Sequence, residues 1–179
     1  MQLNTDLVFM MPCQEPRKTA GERRPGKTED GTVRELRSEV TINAPAERVW
    51  ELLTDFSSFP DWNPFMQRAS GEVAVGEKLV VFLKPPGSMG MSFKPRVAKV
   101  DPNRELRWLG HLVIPGLFDG EHIFEIDPIG DASCRFVQRE EFRGALVPLI
   151  LAMIGGATER GFNEMNQALK ARAEDAASG

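Results

Sequence analysis

The longest periodic run of hydrophobic positions lies near the C-terminus. Val147, Ile150, Leu151, Ile154, Thr158 (by its methyl), Phe162, Met165 and Leu169 recur every three or four residues. This spacing puts them on one stripe of a helix running from Gly144 to about Ala173. Glu159, Arg160, Glu164, Lys170 and Arg172 fall mostly off the stripe. Ala145 to Ala157 is almost wholly apolar but too short to span a bilayer, so the helix is expected to cover an apolar interior. Gly155-Gly156 interrupts it at about 1 kcal/mol per glycine relative to alanine. The pair serves either close packing against a neighbouring element, or a bend or concave patch where another molecule approaches the backbone.

Upstream the period changes. Val40 and Ile42 alternate with Glu39 and Thr41, predicting a strand over Val33 to Asn43. Ala44-Pro45 then opens a helix whose buried side is Val49, Leu52, Leu53 and Phe56, with proline suited to its first position. Phe59 to Phe65 forms a proline-bounded aromatic turn. From Met66 to Arg143 short strands alternate with turns, predicting an antiparallel meander. The polar turns Val75–Glu77, Asp101–Arg104 and Asp127–Asp131 share one end of such a meander. Lys84–Gly90, Ile114–Leu117 and Arg143–Ala145 share the other, which is the expected position of an opening.

In the last hairpin, setting Asp127 opposite Ser133 pairs Ile126 with Cys134, Phe124 with Phe136, His122 with Gln138, Gly120 with Glu140, and Phe118 with Phe142. Side chains alternate along strands, so all of these share one face. Asp119, Glu121, Glu125, Asp127, Arg135, Arg139, Glu141 and Arg143 occupy the other, solvent face. Around Asp101–Arg104 the same logic groups Phe93, Val97, Leu106, Trp108 and Leu112.

At 179 residues the chain is one domain by size. Residues 1–32, rich from Gln14 onward in charge, Pro and Gly, are expected to be a disordered tail, leaving 33–179 as the folded domain. A net charge of −4 suggests no nucleic-acid partner. Cys13 and Cys134 make no disulfide framework and fit a reducing cytoplasm. With His111 and His122 the only histidines, no zinc-type metal cluster forms at recognisable spacing. P-loop, dinucleotide-turn and Gly-x-Ser-x-Gly patterns are absent, and no cofactor is implied.

Thr41 to Phe56 resembles the opening strand and helix of START-like proteins, the SRPBCC superfamily. Trp62-Asn63-Pro64-Phe65 is similar to the aromatic turn of its polyketide cyclase/dehydrase-like members. Leu106-Arg107-Trp108, Arg139–Phe142 and the terminal amphipathic helix fit the same pattern. The resemblance covers about Val33 to Ala173. It implies an α+β helix-grip fold, in which a curved antiparallel sheet wraps a long C-terminal helix around an apolar cavity. Relatives bind lipids, steroids or polyketides, and some catalyse cyclisation or dehydration.

That fold would turn Trp62, Phe65, Phe93, Trp108, Phe118, Phe124, Phe136, Phe142, Ile154, Thr158, Phe162 and Met165 into lining for a hydrophobic small molecule. His122, Gln138 and Glu140 are the polar exceptions on the inward face. Buried polar groups need partners, so the three either satisfy one another or orient a ligand's carbonyl or hydroxyl. Acid–base catalysis by His122 and Glu140 is the enzymatic alternative. A third reading has the loops at the open end contacting a protein or membrane surface, with no particular protein partner implied. If the trio anchors a ligand, His122→Ala is expected to weaken binding about tenfold while leaving stability nearly unaltered.

Overall fold

The computed structural model describes residues 33–111 and 114–175. The proposed tail (1–32) and Leu112 lie outside the described residues. β1 (Arg34–Ile42) leads into α1 (Ala46–Thr54), a turn of 3₁₀ helix (Phe56–Ser58) and the short α2 (Phe59–Trp62). The strands β2 (Met66–Ser70), β3 (Val80–Leu83), β4 (Met91–Phe93), β5 (Arg96–Asp101), β6 (Glu105–His111), β7 (Asp119–Gly130) and β8 (Ser133–Arg143) follow, and α3 (Val147–Asp175) closes the fold. Pro45 stands one position earlier than expected, as the residue before the first helical turn, where its carbonyl accepts the Val49 N–H.

The single expected meander is in fact two. β2-β3-β4 form one sheet, and β1-β8-β7-β6-β5 form another, antiparallel throughout. The break falls at Lys94-Pro95, where proline lacks the N–H that a continuing ladder needs. The sheets stay hooked together beside it: the Leu79 N–H donates to Pro95 O and the Val97 N–H to Glu77 O, both at 2.9 Å. The outcome is a curved, unclosed antiparallel wall with α3 lying along it, the helix-grip arrangement of an α+β protein.

The last hairpin is displaced by two residues from the expected register. Ile126 faces Phe136, Phe124 faces Gln138, and His122 faces Glu140. β7 runs on through Pro128 to Gly130, with a bulge between them, so the chain reverses at Asp131-Ala132. A slip of two keeps every side chain on its face, where a slip of one would have inverted them all. The expected inward set is therefore inward. The outward face carries the expected charges, with Arg139 paired to Glu125 (2.9 Å), Glu141 (2.5 Å) and Glu35 (3.3 Å). It also carries Ile123 and Val137, which are buried. Arg107 and Arg139 flank Ile123 across the ladders, and their aliphatic stems are long enough to cover it.

α3 is fastened to β1 by a buried polar clasp. Asn166 Nδ2 donates to Ser38 Oγ (2.9 Å), which donates to Asn163 Oδ1 (2.6 Å). Gly144 permits the approach to the helix, with φ at +128° and a virtual Cβ only 2.4 Å from Leu117 O, so only glycine fits there. The Gly155-Gly156 pair does not serve close packing against a neighbouring element. The helix is unbroken, and a Cβ would meet nothing nearer than 3.8 Å at Gly155 or 3.7 Å at Gly156. The close approach lies at Gly161, where a Cβ would stand 2.2 Å from Phe65 Cδ2.

Cys134 is buried in the core, and desolvation pushes its thiol up from an ordinary 9.0 to about 11. A thiol harder to ionise folded than unfolded contributes stability that is complete below pH 9.0 and lost as pH rises through about 11. The expected loss across that window is about 2–3 kcal/mol. Urea midpoints of the native protein and Cys134→Ala across the same window test this. The alkaline decline should be shallower in the variant, and equal slopes would mean that Cys134 is not its source.

Candidate functional site

A cavity of about 480 Å³ lies between the concave side of the sheets and the first half of α3. Inward positions of β6, β7 and β8 bring Trp108, Gly120, His122, Glu140 and Phe142 to its wall, with Phe118 from the residue preceding β7. The small sheet supplies Met66, Val81, Leu83 and Phe93, and α3 supplies Ile150, Ile154 and Thr158. Phe65 closes the end nearest the middle of α3, and Pro85–Met91 contributes Pro85, Ser88, Met89, Gly90 and Met91. The three loops expected at one end do gather here. The Leu146 N–H donates to Leu117 O (3.0 Å), and the Lys84–Gly90 loop shares the cavity wall with Ile150 and Ile154. Met89 and Met153 near this rim are 95% and 77% exposed, an apolar edge to the opening.

Of the residues expected to line a cavity, Phe65, Phe93, Trp108, Phe118, His122, Glu140, Phe142, Ile154 and Thr158 are brought together at its wall. Phe124, Phe136, Gln138, Phe162 and Met165 are not. They share the correct face but lie further along it, where α3 presses directly on the sheet. Phe124 stacks on Phe136 with centroids 6.0 Å apart, and Phe162 meets Phe65 edge-on at 5.5 Å. Together they form the floor beneath the cavity. Trp62 is also off the wall. Its indole N–H donates to Ser58 Oγ (3.2 Å), its ring packs edge-on against Phe59, and it borders a shallow surface hollow with Pro60, Pro64 and Arg68. The work of that turn falls to Asn63, whose Oδ1 accepts the N–H groups of Phe65 (3.1 Å) and Met66 (2.8 Å) and directs Phe65 inward. Asn63 between two prolines was the available signal. Met66, Val81 and Leu83 had no comparable one, because alternation names a face without naming its depth.

The polar trio is resolved into a chain. Gln138 Nε2 lies 3.0 Å from His122 Nε2 and 3.6 Å from Met165 Sδ, and His122 Nδ1 lies 3.5 Å from Glu140 Oε2. A thioether accepts but cannot donate, so it selects the NH₂ end of the Gln138 amide. The amide then donates to His122 Nε2, which must present its lone pair. In the neutral ring the proton therefore sits on Nδ1 and points toward Glu140. The ring is held within an aromatic cage: Trp108 stacks at 5.6 Å, with Phe124 at 4.6 Å and Phe162 at 5.1 Å. Glu140 Oε1 rests over Gly120, where a Cβ would stand 2.6 Å from it. His122 is thus the inner member of the pair and Glu140 the member open to the cavity. His111, by contrast, pairs with Asp119 on the exposed side at 2.6 Å.

Among the described residues, no helix is long and apolar enough to cross a membrane. The fold is shared with the Zhui aromatase/cyclase from Streptomyces sp. R1128, at 20% identity and a TM-score of 0.66 over 80% of this chain and 94% of that one. A START superfamily protein from Mycobacterium smegmatis is also 20% identical, with a TM-score of 0.63 over 79% and 97%. Norcoclaurine synthase from Thalictrum flavum is 14% identical, with a TM-score of 0.62 over 88% and 98%. No curated protein matches. The family model described as polyketide cyclase / dehydrase and lipid transport matches residues 33–174. On that match, which takes in every strand and nearly all of the closing helix, the chain belongs to the polyketide cyclase / dehydrase and lipid transport family.

Proposed function

We propose that this protein holds an apolar or amphipathic small molecule, lipid- or polyketide-like, in the cavity over the first half of α3. The observation that carries this reading is the cavity's chemistry. Close-packed interiors leave few voids larger than a water molecule, yet about 480 Å³ stays open here, walled by aromatic and aliphatic side chains. Among the described residues, His122 and Glu140 are the ionisable side chains on that wall. Phe65, Phe93, Trp108, Phe118, Phe142, Ile154 and Thr158 would contact the apolar body of the ligand. Gln138, Phe124, Phe136, Phe162, Met165 and Trp62 would act from behind the wall by holding its shape. A cytoplasmic setting suits the two-cysteine chain, whose Cys134 is a free, buried thiol. No nucleic-acid partner is proposed.

The second reading, cyclisation or dehydration with His122 and Glu140 as acid and base, is favoured by one observation: the pair stands 3.5 Å apart with its carboxylate facing the cavity. Native mass spectrometry of the protein as purified from its host separates the readings. A co-purifying organic molecule released unchanged supports binding. A converted product whose formation stops in Glu140→Gln supports catalysis. Recovery of protein free of any organic molecule after host expression, and no uptake of hydrophobic probes, would remove both.

A further inference from the structure

We propose that the cavity selects ligands whose polar end is a hydrogen-bond donor, a hydroxyl, phenol or amine, and rejects carboxylate and phosphate heads. The inference rests on the binding reading above and follows from where the protons are already committed. Thr158 Oγ1 donates to Ile154 O (3.0 Å), and Ser88 Oγ donates to Pro85 O (2.8 Å) while accepting from Gly90 N (3.3 Å). His122 Nε2 accepts a hydrogen bond from the Gln138 amide N–H, leaving one ring N–H, already directed at Glu140. These groups have little left to donate. Glu140 is the reverse case. Its one polar side-chain neighbour among the described residues is His122 Nδ1 at 3.5 Å, so its oxygens retain unfilled acceptor capacity.

Among the described residues no lysine or arginine lines the wall, so no cation there would neutralise an anionic head placed beside Glu140. A carboxylate or phosphate would meet the Glu140 carboxylate across an otherwise apolar wall, and a lone carbonyl would find, among the described side chains lining it, the ring proton already directed at Glu140 and the Trp108 indole N–H as its donors. A hydroxyl or ammonium supplies what the carboxylate lacks, while its apolar body rests against Trp108, Phe118 and Phe142. Gly120 completes the arrangement by leaving the space that Glu140 Oε1 occupies.

The test uses 2-naphthol, 2-methoxynaphthalene and 2-naphthoate, three probes with one apolar body and different heads. Calorimetric titration of the full chain should show 2-naphthol binding roughly tenfold more tightly than the ether, and 2-naphthoate most weakly, since a hydrogen bond to a charged group is worth about that much. Glu140→Leu, which removes the acceptor while keeping most of the side-chain volume, should bring naphthol and ether to nearly equal affinity. Gly120→Ala provides a second route, because its methyl displaces the carboxylate while keeping Glu140 in the chain. Equal or reversed affinities in the native protein, or a naphthol preference surviving both substitutions, would overturn the head-group inference while ether binding left the cavity reading standing. Failure of all three probes to bind would overturn both.

Discussion

Gly161→Ala is expected to destabilise the protein by about 1–3 kcal/mol, even though alanine is the better helix former. The added methyl would lie 2.2 Å from Phe65 Cδ2 and 2.6 Å from Cε2, distances no side chain tolerates without movement. The ring cannot withdraw freely. Phe65 is 1% exposed, packs edge-on against Phe162, and is aimed by the Asn63 clamp on its own backbone. Its escape is toward the cavity it lines, so affinity for an apolar probe should fall with stability. Gly156→Ala makes the same chemical change five residues earlier, in an exposed position where the nearest atom to the new methyl is 3.7 Å away. There the helix-propensity term acts alone and should stabilise by about 0.5–1 kcal/mol. Opposite signs in the two unfolding midpoints are the expected result. A Gly161→Ala variant as stable as the native protein would show that α3 does not press on Phe65.

His122→Ala is expected to cost about 2–4 kcal/mol, the reverse of the near-neutral stability effect anticipated from the sequence pattern. The imidazole is 2% exposed and fills the space between Trp108, Phe124 and Phe162. Its removal leaves a void beside three large rings and strands the Gln138 amide that donates to Nε2. Chemical denaturation of the variant measures this directly, and an unchanged midpoint would sink the caged-ring account. One consequence is practical. Weaker ligand binding in His122→Ala would reflect a collapsed wall as readily as a lost anchor, so Glu140→Gln is the informative substitution. That side chain borders open space, and its exchange for the amide leaves no cavity behind.

The inward face of the last hairpin was legible because alternation is a local property, independent of which residue sits opposite. The register was not legible to the same precision. Nothing in Asp127–Ser133 distinguishes a reversal at the near end of that stretch from one delayed to Asp131-Ala132 by a bulge. Because the two pairings differ by two residues, the mistaken one still placed His122, Gln138 and Glu140 among phenylalanines. The neighbour of His122 changed from Gln138 to Glu140, and with it the identity of the group that meets the cavity. The glycine pair misled for a related reason. Two adjacent glycines are conspicuous in a string of letters, whereas Gly161 becomes important only when Phe65, nearly a hundred positions away, is folded against it.

By itself the sequence determined the order of strands and helices, which side of each faced inward, and the family to which they belong, since hydrophobic period and turn chemistry are carried by neighbouring residues. The tertiary structure alone decided depth. Phe118 and Phe142 border open space while Phe124 and Phe136, on the same face of the same hairpin, lie under α3 in solid packing. The physical reason is that a cavity is defined by the distance between two surfaces. That distance is set by contacts remote in sequence: the Ser38–Asn166 clasp, Gly161 against Phe65, and the turn at Pro95 that carries one sheet away from the other.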